Sequence, residues 1–340
     1  MAKWTIKDIA KKAGVSITTV SRVLNQKEEG MSEETREKVL RVIEEVQYQP
    51  NQFARGLVTK QSKLLGLIVP TIMNPFFPEL CRGAEDEANK RNYSLVICNS
   101  DDQSEKEERY LRVLKEQQVD GIILSSQDQL SPSSEEILKK GKIPCALLDR
   151  GIEENKYSAV FLDNETGGYL AGKHLTDLGH RNIGCISGPN SIKNSFERVT
   201  GFRRALKEVG IDLHNSLQFE GDFTIESAYE HAKNLLTINN ITAIFACNDM
   251  MAFGVYQAAH ELNIKIPDEL SVIGFDDISF VSSLIPKLTT IRQNTYEMGR
   301  KAVELLINQI ETGKTESVLF SPTLIAREST VHVKIKERLY

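Results

Sequence analysis

Two groups of side chains in this 340-residue chain could do chemistry. The first is compact: Ile17, Thr18, Thr19, Ser21 and Arg22, inside the stretch TIKDIAKKAGVSITTVSRVLN that begins at Thr5. A helix bearing branched or short hydroxyl side chains and one guanidinium can sit deep in a DNA major groove, where long side chains would hold its backbone away. The second group is dispersed: Asn74, Phe76, Phe77, Ser125, Asp149, Arg150, Asn190, Arg198, Phe223, Asn248, Asp276 and Gln293. Aromatic plates, carboxylates, guanidinium groups and amides suit a sugar. The apolar face of a sugar ring stacks on aromatic rings, and each hydroxyl donates to a carboxylate or amide oxygen and accepts from an N–H.

The elements that must carry the first group are short helices. Thr5 can cap a helix containing Ile6, Ile9 and Ala10, and Gly14 can end it with a positive φ. Ser16 can cap a second helix with Val20, Val23 and Leu24 on its inner face. A third helix is predicted over 32–47, capped by Ser32, with Val39, Val42, Ile43 and Val46 closing a three-helix head before Pro50. The stretch QPNQFARGLVTKQSK (49–63) is too polar for a core; Asn51 to Leu57 could form one or two helical turns that are marginal alone and fold on contact. Net charge is −5, but residues 1–60 hold eleven Lys/Arg against eight Asp/Glu, a net +3, which leaves −8 on the remainder. A basic head on an acidic body directs the head to phosphate, and so small a margin points to two heads acting together.

From Leu64 the pattern becomes alternating strands and helices. Strands are predicted at 64–70, 93–100, 119–126, 143–150 and 157–164, then again at 182–188, 216–223, 242–249 and 270–277, with amphipathic stretches between. A short strand at 289–293, a helix at 296–311 and an extended run at 317–328 complete the chain. Such βα repetition builds parallel sheets covered on both faces, and two such halves imply two similar lobes. The fold class is therefore a small all-α helix-turn-helix head plus an α/β body of two parallel-sheet lobes. Ligands in open α/β sheets bind beyond the carboxyl ends of the strands, and most of the second group follows predicted strands; Asn190 and Arg198 flank the start of a helix, and Gln293 lies on the last crossover between lobes. The same residues have structural uses: Asn248, Asp249 or Asp277 could cap the next helix, Arg150 could pair only with Asp149, and one of Phe76 and Phe77 is expected to be mostly core.

AGVSITTVSRVLN resembles the helix-turn-helix signature of the lactose-repressor family of bacterial transcription regulators, and the likeness extends over the whole chain to the terminal LIAREST. It implies a helix-turn-helix domain at 1–48, a hinge helix or linker at 49–62, and a two-lobed effector-binding and dimerisation domain at 63–340 resembling periplasmic sugar-binding proteins. Lobe one would hold about 63–161 and 292–320, lobe two about 162–289 and 323–340. Two hinge helices of the family pair in the minor groove, each wedging a leucine into a base step. Here that leucine is Leu57, with Asn51, Ala54 and Arg55 close to the DNA. The implied head contacts are Thr5, Ser16, Ile17, Thr18, Thr19, Ser21, Arg22 and Asn25. NPFFPEL, LLDR, the arginine of SFERVTGF, GDF, ACND, GFDD and the glutamine of IRQ are similar to the ribose-recognition set of ribose-type repressors. One departure is Ser125, which stands where the family's pentose site has an asparagine; a shorter hydroxyl leaves room or admits water.

The resemblance implies a homodimeric repressor bound to a pseudo-palindromic operator and controlled by a sugar, ribose or a related pentose acting as inducer. Alternatives within the family are another sugar, a nucleoside, or a phosphorylated carrier protein as corepressor. An enzyme is not expected: there is no G-x-S-x-G elbow, phosphate loop or GxGxxG, the six histidines sit singly, and the adjacent carboxylates Asp101/Asp102 and Asp276/Asp277 point in different directions. No cofactor or metal site is expected. A transport binding protein would share the body but have no use for residues 1–60. No apolar run spans a membrane and the N-terminus lacks a signal-type stretch, so no membrane partner and a cytoplasmic location are predicted. The five cysteines are scattered singly, which fits a reducing compartment. No C-terminal leucine heptad suggests a tetramer.

Overall fold

The computed structural model describes residues 4–24, 30–48, 61–125, 130–149, 156–213, 217–238 and 240–333. Asn25, Asn51, Ala54, Arg55, Leu57 and Arg150, and with them most of the expected hinge, lie outside the described residues. The chain divides into two compact units, Met1–Lys63 and Leu64–Tyr340.

In the first unit, α1 (Ile6–Ala13), α2 (Ile17–Leu24) and α3 (Glu33–Glu45) enclose Ile9, Ala10, Ala13, Val20, Val23, Val39 and Val42. Thr5 and Asp8 cap α1 reciprocally: the Asp8 N–H donates to the Thr5 hydroxyl at 3.4 Å, and the Thr5 N–H donates to the Asp8 carboxylate at 2.9 Å. Gly14 ends α1 at φ +65°. A Cβ there would meet nothing nearer than Lys38 Nζ at 3.6 Å, so any penalty is conformational alone. Gly14→Ala is therefore expected to destabilise the head by about 1 kcal/mol. Amide exchange across α1 and α2 of the full chain should speed up about fivefold, with the body unaffected; unchanged protection would refute the account.

The second unit contains two six-stranded sheets. The first is built from β1 (Leu64–Val69), β2 (Ser94–Asn99), β3 (Gly121–Ser125), β4 (Cys145–Leu148), β5 (Ser158–Leu162) and β11 (Ser317–Phe320), in the order β11-β5-β4-β3-β1-β2. All its pairings are parallel. Helices α4 (Phe76–Lys90), α5 (Ser104–Glu116), α6 (Pro132–Gly141) and α11 (Thr295–Thr312) flank it. The second sheet holds β6 (Ile183–Ser187), β7 (Gln218–Glu220), β8 (Ala243–Ala246), β9 (Ser271–Asp276), β10 (Thr289–Arg292) and β12 (Thr323–Ile325), in the order β12-β10-β9-β8-β6-β7. Only β12 runs antiparallel, against β10. Its helices are α7 (Asn164–Asp177), α8 (Lys193–Glu208), α9 (Ile225–Ile238) and α10 (Asp249–Glu261). The chain passes between sheets after Leu162, after Arg292 and after Phe320.

The structure departs locally from the expected elements. The amphipathic stretch after the first strand becomes α4, which begins at Phe76, where Asn74 accepts the Phe76 N–H at 3.0 Å. The extended run expected at 317–328 splits at Ser321 and Pro322, so β11 joins the first sheet and β12 the second. Helices α7 and α8 approach closely: a Cβ on Gly168 would lie 1.8 Å from the Arg198 carbonyl, and one on Gly201 1.8 Å from that of Glu165. This contact fixes where Arg198 projects.

Candidate functional site

In the head, Ser16 caps α2 by accepting the Thr19 N–H at 3.0 Å, and its hydroxyl lies 2.9 Å from that of Thr19. Thr5, Ser16 and Thr19 thus spend their hydroxyls on local caps. Ile17 is 45% exposed, Thr18 and Arg22 are exposed and Ser21 is half-buried, while Val20 and Val23 turn inward. An apolar group, a hydroxyl and a guanidinium therefore share the outward face of one two-turn helix, a surface able to meet base edges and phosphates.

In the body, a cavity of about 550 Å³ lies where both sheets present their carboxyl ends. The segment after β1 contributes Asn74, Phe76 and Phe77; the one after β4 contributes Asp149. The second lobe adds Asn194 and Arg198 from α8, Phe223 after β7, Asn248 before α10, Asp276 at the end of β9 and Gln293 after β10.

Arg198 is the electrostatic centre. It is 5% exposed, its guanidinium lies 3.8 Å from the Phe275 ring centroid, Nε donates to Asn164 Oδ1 at 2.8 Å and Nη1 donates to the Cys247 carbonyl at 2.6 Å. Nη1 also lies 3.6 Å from Asp276 Oδ1. Asp276 in turn accepts from Gln293 Nε2 at 2.7 Å. That bond sets which way the Gln293 amide faces and leaves its Oε1, like Asp149 Oδ1, buried with no hydrogen-bond donor. Burial pushes the Asp149 carboxyl up to about 7, against the pull of Arg198. Burial likewise raises Asp276 to about 6, opposed by Arg198 and by the Gln293 bond.

The aromatic walls are held from behind. Phe76 and Phe77 meet edge to face with centroids 5.0 Å apart. Both are buried, so each serves the core as well as the cavity wall. Phe223 sits at φ +66°, and Asn248 Nδ2 donates to its carbonyl at 3.2 Å while Asn248 Oδ1 caps α10 through the Met251 N–H at 2.7 Å. Asn248 therefore caps α10 and holds the Phe223 backbone while lining the cavity.

Nine of the twelve sequence-predicted residues line this cavity: Asn74, Phe76, Phe77, Asp149, Arg198, Phe223, Asn248, Asp276 and Gln293. Two do not. Asn190 is turned away, with its N–H donating at 2.9 Å to Glu220, whose carboxylate also holds the side-chain amide. Four residues on, in the first turn of α8, Asn194 takes the place and donates to the Asp149 carbonyl at 3.1 Å, joining the two lobes. Ser125 is buried at the end of β3, opposite Leu148 and one register step short of Asp149. Asn194, Asp101, Asp102 and Asp222 were not selected from sequence, although each follows a strand or opens a helix, which is the signal that found the others. Asp277 and Asp249 are structural: Asp277 binds Arg292 and Arg327, each at 2.6 Å, and Asp249 accepts from Thr290 at 2.6 Å and the Ile278 N–H at 2.9 Å. Among the described residues, no group of three or more His, Cys, Asp or Glu is placed to hold a metal ion, and no helix is long and apolar enough to cross a membrane.

Comparison with known proteins adds the following. Residues 5–51 match the family described as bacterial regulatory proteins, lacI family, and residues 173–330 match a periplasmic binding protein-like domain. The chain is 40% identical over 334 residues to the HTH-type transcriptional regulator DegA of Bacillus subtilis (strain 168), covering 96% of this chain and 98% of that protein. It is 40% identical over 329 residues to a ribose operon repressor of Halalkalibacterium halodurans, covering 96% and 97%. Its structure resembles that of a Lac repressor dimer bound to operator and the anti-inducer ONPF, with a TM-score of 0.87 at 28% identity, covering 97% of this chain and 100% of that one.

Proposed function

We propose that this chain, which belongs to the lacI family of bacterial regulatory proteins, is a homodimeric repressor whose hold on a pseudo-palindromic operator is relaxed by a sugar, ribose or a related pentose, bound in the inter-lobe cavity. The observation that carries the sugar reading is the pair of buried acceptors without donors, Asp149 Oδ1 and Gln293 Oε1, in a cavity walled by Phe76, Phe77 and Phe223. A ring with hydroxyls on its edge and C–H groups on its faces supplies what both kinds of wall lack. The relatives do not decide the effector. One is named for a ribose operon and another, equally identical, only as a regulator.

In this reading Ile17, Thr18 and Arg22 face bases, and Leu57 from each chain wedges into the centre of the site. A groove of about 1190 Å³ on the second lobe, edged by Phe253, Tyr256 and Ile285, offers a face for the second copy. Met73, at 81% exposure, and Ile285, at 95%, put large apolar side chains in water on both lobes. Sugar bound across the lobes changes their relation at that interface. A coupling of about 1–3 kcal/mol is enough for control, and operator must weaken sugar binding by the same factor. The cytoplasm is where such a protein meets both DNA and sugar.

The test is calorimetric titration of the protein with ribose and a sugar panel, repeated with Asp276→Ala. Binding of ribose near the micromolar range, lost in the variant, supports the reading. Binding of a different sugar or a nucleoside keeps the regulator and replaces the effector. Binding of nothing small favours a phosphorylated carrier protein as corepressor.

Two further results are expected. Sugar hydroxyls donate to Asp149 and Asp276 and so stabilise their ionised forms. Affinity should rise as pH climbs from about 6 to 8, with protons released on binding. Titrations in two buffers of different protonation enthalpy would reveal that release; proton uptake or a flat profile contradicts it. A Cβ on Gly188 would lie 2.2 Å from the Phe223 ring. Gly188→Ala is therefore expected to tilt that ring and weaken sugar binding roughly tenfold with little loss of thermal stability.

A further inference from the structure

The cavity that we assign to a sugar carries more information about the ligand's charge than about its ring. Three helices open onto it at their N-termini, at Phe76, Ile225 and Asp249. Such ends attract phosphate and carboxylate when their N–H groups are unclaimed. Here the chain caps each end with a side chain of its own. Asn74 accepts the Phe76 N–H at 3.0 Å, Thr224 accepts the Ser227 N–H at 3.2 Å, and Asn248 accepts the Met251 N–H at 2.7 Å. Arg198 gives Nε and Nη1 to Asn164 and the Cys247 carbonyl and also lies against Asp276. The two buried groups left over, Gln293 Oε1 and Asp149 Oδ1, are both acceptors. Gln293 is 4% exposed, so its free oxygen needs a donor from whatever fills the cavity. The exposed residues around the opening include Asp101, Asp102, Asp222 and Glu226. Lys106 pairs with Asp101, whereas Asp222 uses one carboxylate oxygen within its own turn, on Thr224.

We propose that the cavity takes a polyhydroxy compound in its uncharged form and turns away the phosphate ester or carboxylate of the same compound, with Asp222 and Glu226 setting that preference. The inference rests on the sugar reading above and narrows it. A phosphate ester brings close to two negative charges and only acceptors. It finds a side-chain cap already in place at each helix end and meets carboxylates at the opening, with Arg198 already engaged by Asn164, the Cys247 carbonyl and Asp276. The free sugar brings donors for Gln293 and Asp149 and no charge. The cell's phosphorylated pool of the same sugar is then invisible to the protein. A phosphoryl transfer from a nucleoside triphosphate to a sugar hydroxyl, which gives the ester and the diphosphate, ends the signal.

The experiment is calorimetry on the full-length protein with matched pairs: ribose and ribose 5-phosphate, glucose and both glucose 6-phosphate and glucuronate, adenosine and its 5′-monophosphate. Each is run at low and high salt, on the wild type and on the double variant Asp222→Asn, Glu226→Gln. In the pair whose neutral member binds, the charged member should bind at least roughly tenfold more weakly at low salt. That ratio should shrink at high salt, because the carboxylates at the opening are exposed and screened. It should also shrink in the double variant. A charged member that binds as tightly as its neutral partner overturns the inference and leaves the sugar reading intact. A ratio indifferent to both salt and the substitutions overturns the role of Asp222 and Glu226. Binding of neither member in any pair removes the sugar reading, and this inference with it.

Discussion

Replacing Arg198 by leucine is expected to abolish sugar binding and to destabilise the body by roughly 3 kcal/mol near pH 8, with a much smaller loss near pH 5. The guanidinium lies against Asp276, fills the acceptors of Asn164 and Cys247, and pulls the Asp149 carboxyl down. Leucine roughly keeps the contact with Phe275 but not the charge. The pH dependence follows from the direction of the carboxyl shifts. Asp276 at about 6 and Asp149 at about 7 already lie above the ordinary carboxylate value because they are buried. Stability tied to such groups is lost as pH rises from the unfolded value through the folded one. Without Arg198 both folded values move higher. The two proteins therefore lose stability together up to about pH 6 and diverge above it. Thermal melting of wild type and variant from pH 5 to pH 8 tests this. A difference that is constant with pH would mean that Arg198 acts by packing alone.

Replacing Ile285 by aspartate is expected to give a monomer and to weaken operator binding at least 100-fold, about 3 kcal/mol. At 95% exposure Ile285 supports no core, so the monomer's fold should be unaffected. Its side chain borders the groove lined by Phe253, Tyr256, Leu284 and Pro286, and a charge there opposes burial against a second copy. A single head with a net charge of +3 over residues 1–60 holds DNA weakly, which is why losing the pair costs so much. The cavity residues all come from one chain, so sugar titration should survive the substitution. Sedimentation, operator binding and calorimetry on one sample separate the effects. A dimer that persists places the interface elsewhere.

Much of this was legible in the sequence. Strand periodicity gave the order of the βα units, and reading the residues after strands, at a helix start and on a crossover reached nine residues of the cavity wall. That works because a parallel sheet sends every strand's carboxyl end to the same side. The errors are instructive. Asn190 and Asn194 lie four residues apart in PNSIKNS, and the tertiary position of Glu220 holds the first of them away from the cavity. Ser125 stops short because register against β4 places it opposite Leu148. Asp277, left out of the site set as a possible helix cap, is instead held by two arginines distant in sequence, Arg292 and Arg327. Periodicity finds elements, whereas these choices depend on partners tens of residues away.

The last strand of the first sheet, β11, is made from residues 317–320, yet it borders β5, which ends at Leu162. On the ribosome, the first lobe therefore waits for more than 150 further residues, including the whole of the second sheet up to β10, before its edge is covered. Until then β5 exposes an unpaired row of N–H and C=O groups, although the head has already been made. A nascent or prematurely terminated chain of this kind is a DNA-binding head attached to an open sheet edge, the form most prone to pair with a neighbour emerging from the same message. Translation to residue 320 supplies the strand that closes that edge.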